Sequence, residues 1–197
     1  HTEFVHPSAG LEGSFDPEEI LAERLEVSEW GSVMHTDTPK VKIQHGHHGA
    51  CHQWTFLMFK TGGFEGNFNF YSFVRPIDAH SVRRYLFSAR DFQLGEEMDK
   101  QLGDTTLAFE KEDRPVIEGM RPHFSPRDTT SELLLPEDEI MVSFRKFLDK
   151  WQARGWHIDL EALEQQGKRK VFTIPSPGRQ GYSNWVMDPV PLISATE

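Results

Sequence analysis

Two histidines near the start of the chain have the residue types and the spacing of a metal-binding pair. His1 and His6 are five positions apart, which places them about 140° apart around an α-helix at ~100° per residue, so one helix face presents both only if the helix ends or distorts between them. Pro7, directly after His6, favours such an end. Neutral imidazoles bind zinc, copper or iron, and the alternative is a solvated pair of histidines near a chain end.

A second cluster occupies the stretch QHGHHGACH. It holds four histidines and the only cysteine of the chain, namely His45, His47, His48, Cys51 and His52. Imidazole and thiolate groups this close could bind zinc or copper. Because the spacing is irregular and Gly46 and Gly49 favour a hairpin, we expect a structural or solvent-facing loop, in which His45 or His52 can still point into a pocket at a strand end.

The third region is an acidic run, FEKEDRPVIEGMRP, with Glu110, Glu112, Asp113 and Glu118. A charge run on a helix is usually a solvated face. One carboxylate that turns inward could nevertheless join two neutral imidazoles. Such a set is the facial triad of mononuclear non-heme Fe(II), which leaves the opposite coordination positions open for O2 and substrate.

The composition limits the function classes. A length of 197 residues suits one domain, and 15 Phe and 5 Trp indicate an aromatic core or pocket. A net charge of −10 argues against nucleic acid and against an anionic membrane surface as partners. No apolar run approaches the ~20 residues of a membrane span. The single cysteine excludes an internal disulfide, which favours a cytoplasmic protein.

The elements that must position these groups follow from the periodicity. DPEEILAERLEV predicts a short helix with Asp16 as N-cap, and the alternating aromatic-rich sequence from Glu26 to Phe92 predicts about five antiparallel strands, with the strand NFNFYSFV covered on both faces. A long charged helix follows, interrupted at Gly103 and Pro115. EDEIMVSFRKFLDKWQARGW predicts an amphipathic helix that ends at Gly155. Strands followed by helices indicate an α+β fold with helices on one face of an antiparallel sheet.

Three stretches, in order along the chain, resemble one family. HTEFVHPSAG is similar to an H-x4-H iron motif, and FVRPIDAHSVRRYLFSARDF is similar to a strand pair with the pattern P-x-D-x-H-x-x-R. EDRPVIEGMRPHFSPRDTTSELLLPEDEIMVSFRKFLDKW is similar to a run in which an Asp ligand precedes V-I-E-x-Q-R-P. The chain therefore resembles the C-terminal catalytic domain of Rieske non-heme iron oxygenases, the α subunits of aromatic-ring hydroxylases, in their vanillate O-demethylase-like monooxygenase branch.

The resemblance implies a helix-grip (START-like) fold, an antiparallel sheet wrapped over a long C-terminal helix. It also implies that His1, His6 and Asp113 are the catalytic ligands of a mononuclear Fe(II). Residues 1–197 would be the catalytic domain, a fragment without the N-terminal Rieske domain that carries a [2Fe-2S] cluster. NAD(P)H would supply electrons through a reductase or ferredoxin, and O2 would hydroxylate or O-demethylate a small aromatic substrate. The full-length protein would be a homotrimer in the bacterial cytoplasm.

Some residues depart from the family pattern. A single cysteine cannot hold a Rieske cluster, so the isolated chain should bind iron without turning over. Met120 replaces the usual glutamine, and Pro115 lies two residues after Asp113, so Glu110 and Glu112 stay open as the carboxylate ligand. Two other readings also stay open. One is a helix-grip ligand-binding module without metal, and the other is a copper monooxygenase that uses an N-terminal histidine, although such enzymes are commonly secreted and disulfide-bonded.

Overall fold

The computed structural model describes residues 20–78, 80–126, 129–166, 171–174, 182 and 186–193. His1 and His6, and the helix start expected at Asp16, lie outside the described residues. No helix in the described part of the chain combines the length and apolar character needed to cross a bilayer.

Six antiparallel strands form one sheet, in which each strand pairs with its neighbours in sequence. The strands are β1 (Ala22–Val27), β2 (Gly31–Asp37), β3 (Val41–His48), β4 (His52–Thr61), β5 (Phe64–Asp78) and β6 (Ser81–Arg90). Alternating apolar and polar residues produce these strands because successive side chains point to opposite faces. Left-handed glycines at Gly49, Gly62 and Gly63 supply the positive φ that the two central hairpin turns need.

The first strand corrects two expectations. Residues Ala22–Val27 form β1 and not the end of a helix, because their backbone pairs with β2 over its whole length. The start of the alternating region, LEVSEWGSVMH, holds parts of two strands joined by a turn at Ser28–Trp30, where Ser28 N–H donates to the Gly31 carbonyl at 2.8 Å, so the sheet has six strands where about five were predicted. Tertiary pairing thus overrides the local helix propensity of this segment, which is rich in Ala, Leu, Arg and Glu.

The helices follow the sheet as α1 (Glu96–Gly119), α2 (Glu139–Ala153) and α3 (Leu160–Gln165), with a 3₁₀ turn at Pro136–Asp138 before α2. The expected interruption of α1 is wrong, because the helix continues through both Gly103 and Pro115. Pro115 removes one backbone hydrogen bond of α1, and the helix nevertheless continues to Gly119. The predicted end of α2 is confirmed, since Gly155 adopts φ +86° just beyond it.

The helix α2 packs on one face of the sheet, which we call the inner face. Strand register places His45 and His47 of β3 on this face, and the Phe144 and Phe147 rings of α2 meet the His47 ring edge-on at 4.9 and 5.2 Å between centroids. Ion pairs from Arg84 and Arg90 of β6 attach α1 to the sheet at its β6 edge. The expected α+β, helix-grip-like class is confirmed.

The opposite, outer face carries a row of aromatic rings. His52 of β4 stacks on Phe73 of β5 at 4.3 Å between centroids, and Phe73 contacts Phe87 of β6 at 5.8 Å. Phe73 is 41% exposed and Phe87 59% exposed within the described residues. The expectation that β5 is covered on both faces is therefore not met at Phe73.

Candidate functional site

Two carboxylates in the acidic run of α1 pair with arginine side chains. Arg84 joins Glu110 through Nη1 at 2.9 Å and donates from Nε to Ser72 Oγ at 2.7 Å, so this side of α1 faces the sheet. Glu118 is exposed and pairs with Arg114 of the same helix. Glu110 is therefore committed to β6, which makes it a poor candidate for a metal ligand.

Asp113 lies on the same side of α1 as Glu110. Three positions separate the two residues, an angle of about 60° around the helix axis, whereas Glu112 is about 160° from Glu110. The side chains of both Asp113 and Glu112 are half-buried. Because the Arg84 contact marks the sheet-facing side, Asp113 has the better direction for a site between helix and sheet.

The proposed iron ligands are not brought together within the described residues, since His1 and His6 lie outside them. In the part of the chain that the structure describes, no group of three or more His, Cys, Asp or Glu side chains is arranged to hold a metal ion. Asp113 is thus the only member of the expected triad whose position is known.

The side chains of the histidine cluster lie on both faces of the sheet. His45 and His47 lie on the inner face, while His52 lies on the outer face in register with Phe73, and the Cys51 thiol is exposed in the hairpin. A zinc or copper site made from all these residues would need them on one side. The hairpin interpretation of QHGHHGACH therefore agrees with the structure, and His45 does point toward a cavity, as described below.

His47 has a structural role that its sequence did not reveal. It is 5% exposed, and its Nδ1 donates to the Gly49 carbonyl at 3.1 Å. A carbonyl oxygen only accepts, so Nε2 is unprotonated and accepts a hydrogen bond from Ser32 Oγ at 2.9 Å. Burial lowers the pKa of His47, with the Gly49 bond opposing this and His48 adding to it. The imidazole is therefore a neutral link between β2, β3 and the hairpin turn.

Sequence reasoning missed Ser32, although a signal was present. Ser32, Met34, Thr36 and Thr38 alternate along β2 and its end, and all four are buried. Three small hydroxyl side chains in an alternating row indicate an inner face with buried hydrogen bonds. The partner could not be assigned without the register, which places Ser32 opposite His47.

A cavity of about 330 Å³ lies between α2 and the paired strands β3 and β4. This volume falls in the range of small-molecule pockets, which is ~300–1,000 Å³. Its lining combines apolar helix residues with mostly polar strand residues: His45, Gly46, His47, Gln53, Trp54, Thr55, Ile140, Met141 and Phe144. The cavity has the composition of a site for an aromatic or similarly apolar ligand with a few polar groups.

His45 is the titratable group in this cavity that has no structural role of its own. It is half-buried, and among the described residues no hydrogen bond involves its ring. Burial lowers the pKa of His45, and the Glu23 carboxylate partly offsets this shift. Thr55 stands directly opposite His45 in the register of β3 and β4.

A second cavity, of about 310 Å³, lies on the β1 side of α2. Its lining is charged, with Glu29, Glu139, Lys146 and Lys150 among its residues. The two cavities therefore differ in the ligand chemistry that they favour, although α2 forms a wall of both.

The family model for the vanillate O-demethylase oxygenase C-terminal domain matches residues 40–154. The chain belongs to this family. The match extends from β3 to the end of α2 and so includes Asp113 and both walls of the larger cavity. The resemblance to the catalytic domain of Rieske-type oxygenases of the vanillate O-demethylase branch, identified from the sequence, is confirmed.

Solved structures similar to this family member share its fold at low identity. A structure of the Pseudomonas putida CBB5 NdmA QL mutant with caffeine has a TM-score of 0.62 and 19% identity, over 78% of this chain and 44% of that one. Pseudomonas putida CBB5 NdmB has a TM-score of 0.55 and 20% identity, over 74% and 41%. The chain thus spans less than half the length of these proteins. No curated protein matches it significantly.

Proposed function

We propose that the chain is the mononuclear-iron catalytic domain of a Rieske-type oxygenase that hydroxylates or O-demethylates an aromatic substrate. The observation that carries the proposal is the family match over residues 40–154, which spans the cavity and the acidic run of α1. Both are features that an oxygenase of this type needs, namely a place for substrate and a carboxylate that can bind iron.

His1, His6 and Asp113 are the residues that would hold the iron. Two imidazoles and one carboxylate are the donor set that suits non-heme Fe(II), and the direction of Asp113 on α1 supports its membership. When bound, the iron would supply the chemistry of O2 reduction and substrate oxidation, which protein side chains cannot perform.

The residues of the chain itself would bind and orient the substrate. Ile140, Met141 and Phe144 give the cavity an apolar wall on α2, and the strands β3 and β4 give the opposite wall. Such walls exclude water from the reacting position, which strengthens polar interactions there. The Arg84 contacts to Ser72 and Glu110 would hold α1, and with it Asp113, at a fixed distance from the sheet.

Electron supply and assembly complete the proposal. Residues 1–197 would act together with an N-terminal Rieske domain whose [2Fe-2S] cluster receives electrons from NAD(P)H through a reductase or ferredoxin. The full-length protein would be a homotrimer in the bacterial cytoplasm. Alone, the chain would bind iron and substrate and not turn over.

Nitric oxide tests the proposal, because it binds open positions of non-heme Fe(II) in the place of O2. We expect the chain, loaded with Fe(II) without air and exposed to nitric oxide, to show a high-spin iron-nitrosyl EPR signal that accounts for about one iron per chain. A chain that takes up no iron, or that instead binds copper tightly and dependent on His1, would contradict the proposal and favour the metal-free ligand-binding or copper alternative.

A further inference from the structure

We propose that the 330 Å³ cavity between β3, β4 and α2 selects an uncharged aromatic ligand with a hydrogen-bonding substituent, and that His45 and Thr55 orient that substituent. This inference rests on the proposed function in taking the ligand to be the substrate of the oxygenase. It goes further by assigning a charge class to the substrate and a specificity role to two strand residues.

The polar pair has the right placement. His45 and Thr55 are directly opposed on neighbouring strands, so their Cβ atoms are about 4.5–5.5 Å apart on the same face. This is the inner face, where His47 already contacts Phe144 of α2. One ligand substituent can therefore reach both side chains at once.

The chemistry of the pair suits neutral polar groups. A neutral imidazole offers one N–H donor and one acceptor, and a threonine hydroxyl offers the same. Unlike His47, whose two ring nitrogens are used by Ser32 and Gly49, His45 has no hydrogen bond among the described residues. An amide, carbonyl or phenol would satisfy His45 on binding.

The charge environment disfavours an anion. None of the described residues that line this cavity is Lys, Arg, Asp or Glu. The carboxylate that acts on His45 is Glu23, and its charge would repel an anionic ligand. A carboxylate entering the cavity would lose its hydration without gaining a cation as partner, which is unfavourable. The Lys146 and Lys150 side chains line the other cavity, on the far side of α2.

The remaining lining indicates a planar ring. Ile140, Met141 and Phe144 form one wall, and the strand segments at Gly46 and Trp54 belong to the other, although the Trp54 ring itself lies on the outer face beside Gly46. A methoxylated benzene ring fits a cavity of this size, since pockets of ~300 Å³ and more accommodate small ligands.

A pair of probes that differ by one charge tests the inference. Binding of 4-methoxybenzamide and 4-methoxybenzoate to the full chain is measured by titration calorimetry at pH 8, with and without Fe(II) under anaerobic conditions. We expect saturable binding of the amide and at least tenfold weaker binding of the benzoate. Equal or tighter binding of the benzoate, or no saturable binding of the amide, overturns the inference.

Substitutions of His45 and Thr55 test whether these side chains contact the bound amide. His45→Phe keeps an aromatic ring without polar atoms and should weaken amide binding about tenfold, whereas His48→Phe, an exposed position on the same strand, should leave it unchanged. Thr55→Val keeps the side-chain volume and provides the same test if His45→Phe does not fold. Unchanged amide binding in a folded His45→Phe or Thr55→Val chain contradicts the assignment. Because the titration is also done without metal, failure of iron binding and failure of ligand selection are distinguishable.

Discussion

At the scale of single residues, Ser32 and His47 form a buried hydrogen bond on the inner face. Ser32 is 1% exposed, so its hydroxyl has no access to water that could replace the bond. Ser32→Ala leaves His47 Nε2 without a donor and should lower the free energy of unfolding by about 1–3 kcal/mol, the cost of an unsatisfied buried group.

Urea denaturation measures this effect, and Ser88→Ala at an exposed position of β6 is the matched control. The control should change stability by less than ~0.5 kcal/mol. If the two variants are equally stable, the hydrogen bond does not contribute as we describe.

The histidines also give the protein a pH dependence. Burial lowers the pKa of His45, His47 and His52 in the folded chain. The unfolded chain therefore binds more protons below its own histidine pKa of ~6.5, so the stabilisation is fully present above that pH and is lost as the pH falls through the folded-state values.

We expect the free energy of unfolding to be constant from pH 8 to 7 and to decrease from pH 6.5 to 5, a window above the titration of ordinary carboxylates. His47→Gln should flatten the curve. A free energy of unfolding that stays unchanged or rises as the pH drops from 6.5 to 5 would contradict this expectation.

Residue types in the sequence identified the candidates, and only the fold could choose among them. Spacing alone could not distinguish Asp113 from Glu110, and the contact between Glu110 and Arg84, 26 positions away, is visible only in the fold. The same holds for His45 and His52, which look equivalent in the sequence and lie on opposite faces of the sheet.

At the scale of elements, α2 is attached to the sheet by aromatic side chains. Phe144 contacts the His47 ring and lines the cavity between α2, β3 and β4. Phe144→Ala should destabilise the protein near the lower end of the ~3–5 kcal/mol range for buried aromatic truncations, since the ring is only half-buried. Thermal unfolding followed by near-UV circular dichroism measures the loss.

Phe87→Ala makes the same chemical change on the outer face, where Phe87 is 59% exposed. It should cost markedly less than Phe144→Ala. Equal losses would mean that α2 is not the element that covers the sheet.

The longer helix α1 depends on a few polar contacts. No residue of α1 is fully buried, and the described contacts to the sheet include the pairs of Arg84 with Glu110 and Arg90 with Asp99. Arg84→Met should therefore increase hydrogen exchange of α1 amides more than that of β3 to β5, because local opening is easiest where buried contacts are few. Mass spectrometry of peptic peptides resolves the two regions, and Lys100→Met, at an exposed site on α1, is the control. Equal exchange in α1 before and after Arg84→Met would contradict this role.

The sequence predicts these elements unevenly, for physical reasons. The apolar stripe of Ile140, Phe144 and Phe147 has the 3.6-residue period that predicts α2, and its place on the sheet agrees. The interruption expected at Pro115 failed, since the helix continues to Gly119 although the proline removes one of its backbone hydrogen bonds. The helix expected through Ala22–Val27 failed because strand pairing with β2, a non-local interaction, decides that segment.

At the scale of the whole molecule, the helices α1 and α2 both lie on the inner face of the sheet. The helix α2 covers β1 and β2 and closes the larger cavity over β3 and β4, while α1 approaches from the β6 edge and carries Asp113. The candidate metal ligand and the candidate ligand cavity thus lie on the same face of one sheet, as an enzyme that oxidises a bound substrate requires.

The direct test of this account is the iron content of the chain after anaerobic loading with Fe(II) and removal of unbound metal. We expect one iron per chain in the unchanged protein, loss of iron in His6→Ala and Asp113→Ala, and full iron in Glu118→Ala, whose carboxylate is exposed and paired with Arg114. Full iron in Asp113→Ala would move the carboxylate ligand to a neighbour such as Glu112. No iron in the unchanged, folded chain would contradict the assignment as an iron oxygenase domain.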